Sequence, residues 1–70
     1  MNPTRVRFEV QDALRGKASG LFLVRAVEIL DAARDDKQAL RDAVLHIAKM
    51  TDVFLDEETR AALEVLALKI

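Results

Sequence analysis

The sequence predicts an all-α fold, a small bundle of three to four short helices whose last two form an αα-hairpin. Three observations carry that prediction. Apolar residues recur at gaps of three and four through Asp36–Phe54, at Leu40, Ala43, Val44, Ile47, Met50 and Phe54, which places them on one stripe of a helix. Capping residues precede each apolar-periodic segment: Asn2, Ser19, Asp36 and Asp56, types whose side chains accept from the orphan amides of a first helical turn. The two glycines, Gly16 and Gly20, stand together at the clearest break in the chain.

The first element starts at Asn2-Pro3-Thr4. Asn2 serves as N-cap, and Pro3 takes the first helical position, where its missing amide costs nothing. On this helix Val6, Val10, Ala13 and Leu14 share a face and Phe8 falls opposite. Arg5 to Gln11 also alternates polar and apolar strictly, which is a strand pattern. A lone strand has no partner within so short a chain, so that alternative implies strand pairing across a dimer. The proline signal favours the helix. Gly16 is placed to end it as the residue after the C-cap.

The second helix spans Leu21 to Arg34 behind Ser19. Phe22, Leu23, Ala26, Val27, Ile29, Leu30 and Ala33 form its broad apolar face, and Leu21 and Val24 fall on the polar side. Asp36 caps the central helix, which runs to about Met50 or Thr51. Residues 51–55 form a connection with Phe54 and Leu55 turned inward. Asp56 caps the last helix, with Glu57 and Glu58 suited to its positive end. Ala62, Leu63, Leu66 and Ile70 make the main face of that helix, with Glu57, Arg60 and Glu64 opposite. Ala61, Val65 and Leu68 form a second apolar strip. One strip is expected to pack within the chain and the other to meet a second chain.

The 70 residues make a single domain, 1–70. A core this small commonly needs a disulfide, a metal or a partner chain. The chain has no cysteine and one histidine, which removes disulfides, thiolate sites and zinc sites built on two histidines. A 51% apolar fraction then points to a homo-oligomer. Leu21, Val24, Ala61, Val65 and Leu68 are the expected partner-binding surface, meeting a copy of the chain or another helical protein by helix-in-groove contact. No run is long enough for a membrane span or a signal peptide, so a cytoplasmic location without membrane contact is expected.

The formal net charge is −1, which argues against a nucleic-acid partner. The charge is uneven: residues 1–25 carry a net +3 and residues 26–70 a net −4, and attraction between the two halves is the expected use. The alternative function is a small dimeric DNA-binding regulator presenting Arg5, Arg7, Glu9 and Gln11 from a dimeric ribbon. The acidic opening of the last helix, Asp56 to Glu58, excludes it as a recognition helix.

Nothing in the sequence supports catalysis. Ser19 is the only serine, Thr4, Thr51 and Thr59 stand at caps or boundaries, and no base is spaced to activate them. No cofactor or metal is expected: there is no glycine-rich phosphate loop, and Phe54 occupies an oxygen-ligand position of what would be a calcium loop. His46 lies on the central helix beside Asp42, away from the core stripe. His46-Ile47-Ala48-Lys49 resembles the His-x-x-Lys core of histidine phosphotransfer domains, which are helical bundles with an exposed histidine. That resemblance implies phosphotransfer at His46 as a second alternative. It covers four residues, and Met50 stands where the family usually has glycine. A non-catalytic interaction or assembly module is the expected function.

Overall fold

The computed structural model describes residues 2–50 and 55–70. They form four helices: α1 (Pro3–Leu14), α2 (Gly20–Ala33), α3 (Lys37–Lys49) and α4 (Glu57–Leu68). Residues 5–11 lie within α1, so the single chain takes the helical alternative for that segment.

Each helix begins at the expected cap. Asn2 Oδ1 accepts from the Arg5 amide at 2.8 Å and Ser19 Oγ from Phe22 at 3.1 Å. Asp36 Oδ1 accepts from Ala39 at 3.0 Å and Asp56 Oδ1 from Thr59 at 2.7 Å. Such a cap satisfies one of the otherwise unpaired amides of the first turn, worth about 1 kcal/mol each. Gly16, just beyond the end of α1, has φ +74, a left-handed conformation that glycine adopts without a Cβ penalty.

The α2–α3 connection departs from expectation. Arg34 does not continue α2 but has φ 52 and ψ −131, and the Asp36 amide donates to the Ala33 carbonyl at 3.3 Å. That combination places Arg34 at the first central position of a type II′ turn, a site that favours glycine.

One core joins all four helices. Val6, Val10 and Leu14 of α1 meet Phe22, Ala26 and Leu30 of α2, Leu40, Val44 and Ile47 of α3, and Leu63 and Leu66 of α4, with Leu55 packed beside them. Packing is most extensive between α3 and α4, the expected hairpin, while α2 and α4 do not pack on each other among the described residues. The Cα radius of gyration is 10.7 Å, against about 11 Å for a folded chain of this length.

Two expectations for α4 are corrected. Ala62 is exposed rather than part of the main face. The buried row is Thr59, Leu63, Leu66 and Ala67, spaced at i, i+4, i+7 and i+8, and Ala62 lies about 100° away from Leu63 around that helix. Arg60, expected on the polar face, is folded inward with 19% of its side chain exposed. Ala48 joins the core as well, a residue the apolar stripe of α3 does not include. Phe54, expected to point inward, lies outside the described residues.

Candidate interaction surface

Two arginines fasten the bundle through backbone groups. Carbonyls in the last turn of a helix have no partner within that helix. Arg60 of α4 donates from Nη1 to the carbonyls of Ala48 and Met50 at 2.6 and 2.9 Å, closing the end of α3. Arg7 of α1 donates from Nη2 to the carbonyls of Leu30 and Arg34, closing the end of α2. Arg7 also lies near Asp31 and Asp35, at 3.6 and 3.9 Å. Its buried Nε has no hydrogen-bond partner among the described residues, Asp31 Oδ1 standing 3.6 Å away. A positive group at a helix C-terminus is also favoured by the macrodipole.

These contacts show where the basic N-terminal charge goes. Arg7 meets Asp31 and Asp35 of the α2 end, and Lys17 Nζ stands 3.9 Å from Asp56 Oδ2 at the start of α4. Arg5 pairs with Glu9 one turn along α1 at 3.3 Å. Exposed pairs of this kind are each worth under about 1 kcal/mol, yet they all join the positive N-terminal segment to carboxylates. Arg5 and Arg7, two of the side chains assigned to DNA in the alternative reading, are thereby engaged within the chain.

The Asp56 carboxylate is held clearly below its ordinary range. The Thr59 side chain and backbone amide both hydrogen-bond it, and Lys17 adds a favourable charge. Hydrogen bonds to the ionised form favour that form. Thr59 is itself buried, and the bond to Asp56 supplies its hydroxyl with an acceptor.

His46 is exposed on α3. The neighbouring carboxylate, Asp42, accepts from Gln38 Nε2 at 3.2 Å. Among the described residues no three His, Asp or Glu side chains are grouped to hold a metal ion. An open groove runs beside α1, lined by Pro3, Phe8, Ala13, Glu9, Asp12 and Asp35 among others.

The five residues assigned to the partner surface all face outward. Leu21 is 79% exposed, Val24 57%, Val65 51% and Leu68 85%, and Ala61 is exposed with them. Of the two apolar strips on α4, the one through Leu63 and Leu66 packs within the chain, leaving Ala61, Val65 and Leu68 on the outside. Leu21 and Val24 belong to α2, which does not pack on α4. The five residues therefore occupy two separate helix faces. Phe8, 66% exposed on α1, is a further outward apolar side chain. Its signal was legible, since the helical wheel sets it opposite Val6 and Val10. No helix of the described residues is long and apolar enough to cross a membrane. The chain matches no protein-family model, and no curated protein or solved structure is significantly similar to it.

Proposed function

We propose that the protein is a non-catalytic interaction and assembly module that associates with copies of itself through the outward apolar faces of its helices. The observation that carries this reading is the strip Ala61–Val65–Leu68 along the outer side of α4. Isolated apolar residues on a surface are ordinary, whereas a row of them at helical spacing is the pattern of a contact face. Leu21 and Val24 give α2 a second, smaller face of the same kind. The core closes without either face, so both are free for association. The same reading assigns the protein to the cytoplasm, and its cysteine-free sequence, which asks for no oxidising compartment, supports that assignment.

The test is the solution mass by light scattering across a concentration series, for the wild type and for Val65→Glu. The wild type is expected to form a dimer or larger species. Val65→Glu is expected to shift it toward monomer while the helical circular dichroism is retained, because Val65 lies outside the core. Unfolding of that variant with no earlier change in association would sink the assignment.

A further inference from the structure

We infer that α4 pairs in parallel with α4 of a second copy of this chain, along the seam Ala61, Val65 and Leu68. The inference rests on the self-association reading and specifies its geometry. On α4 the buried side is formed by Thr59, Leu63, Leu66 and Ala67. Advancing 100° per residue, the exposed arc is centred between Ala61 and Val65, with Leu68 beside them. In heptad terms Ala61 and Leu68 stand at d and Val65 at a. A β-branched residue at a with leucine at d favours two parallel strands.

The flanks of the seam choose the occupant and its direction. One flank carries Glu57 and Glu64, both exposed, and the other carries exposed Lys69 and Ala62. Opposite flanks meet in a parallel two-fold pair. The g position then faces the e′ position five residues further on, so Glu64 meets Lys69 of the partner subunit, twice by symmetry. Within one chain these two residues are five apart and are not neighbours on the helix. In an antiparallel pair each flank meets its own copy, and the acidic flank of Glu57 and Glu64 would face itself. The charge pattern is thus complementary to a second α4 in the parallel direction alone.

Glu58 stands at the preceding a position and faces its twin at the N-terminal end. It ends the apolar seam there, leaving about one heptad of contact. So short a seam buries less than the roughly 800 Å² per partner of a standard interface, so the pair is a weak one.

The experiment is sedimentation equilibrium at low salt, from about 10 µM to 1 mM, a range matched to weak dimers. The samples are the wild type, Glu64→Lys, Lys69→Glu and the double variant. Both positions altered are exposed, and circular dichroism checks that each variant keeps its helices; Glu64→Gln and Lys69→Gln replace any that does not. Each reversal is expected to weaken the dimer about five- to tenfold, since two pairs turn repulsive by symmetry. The double variant is expected to return within about twofold of the wild type, the recovery that defines a coupled pair. Glu58→Leu, which extends the seam, is expected to tighten it. A dimer indifferent to the single reversals, or not recovered in the double variant, overturns the α4 pairing and leaves self-association standing. A monomer at every concentration overturns both.

Discussion

Arg34 is the residue whose backbone and side chain disagree. Its φ of 52 with ψ −131 costs a residue with a Cβ about 1–3 kcal/mol. The turn is held by the Asp36-to-Ala33 hydrogen bond and by Arg7, which binds the Arg34 carbonyl, so the strain is retained. Arg34→Gly is expected to raise stability by about 1 kcal/mol, the strain relieved less the entropy of a more flexible unfolded chain. A fall in the urea midpoint would contradict this. Asp56 sets an acid limit. Its carboxyl is lowered from the ordinary 3.8, chiefly by the Thr59 side-chain hydrogen bond and then by the Thr59 amide. A carboxylate depressed on folding contributes stability that is full above its unfolded value and is lost as pH falls through the folded one. Stability should therefore decline as pH drops below about 4, and the decline should be shallower in Asp56→Asn, which keeps an acceptor at the cap and loses the charge. Denaturation midpoints at pH 5 and pH 3 for the two proteins measure the difference.

At the scale of the element, each helix is started by its own sequence and finished by another helix. The N-caps are local, each accepting from an amide three residues on. The ends of α2 and α3 are closed from α1 and α4, by Arg7 and Arg60. Arg60 thus ties the hairpin at its connected end, where α3 finishes and α4 begins. Arg60→Ala leaves two partly buried carbonyls without that donor and is expected to cost about 1.5–3 kcal/mol, the range for hydrogen bonds to a charged group. Arg60→Lys should recover only part of the loss, because one ammonium cannot match the planar fork of donors. Guanidinium unfolding of both variants checks the order.

At the scale of the whole molecule, the described residues make a compact four-helix unit with an apolar core that all four helices share and apolar side chains left outside it. The residues outside are not failures of the core: Val6, Val10, Leu40, Val44, Ile47 and Leu63 are fully buried while Leu68 and Leu21 stand open. The core therefore closes without the outer strip, and the proposed pairing would add to a fold already formed. Linkage gives the expected signature: if only the folded chain dimerises, the melting temperature rises with protein concentration. A melting temperature constant over a hundredfold range of concentration would speak against self-association of the native state.

Sequence alone determined what depends on near neighbours. Four caps, the spacing of Leu40, Val44 and Ile47, and the position of Gly16 specify helices because capping and periodicity act within a few residues. The outward setting of Phe8, Leu21 and Val24 followed from the same wheel. Tertiary structure decided what depends on distant groups. Arg7 reaches carbonyls 23 and 27 residues away in the chain, and no local pattern distinguishes such an arginine from a solvated one. The choice between the two strips of α4 was likewise not local: both have helical spacing, and the surfaces of α1 and α3 select Leu63 and Leu66 while turning Ala62 outward. Arg34 entered its turn for the same reason, since the packing of α2 against α3 fixes the path between them and the residue standing there conforms.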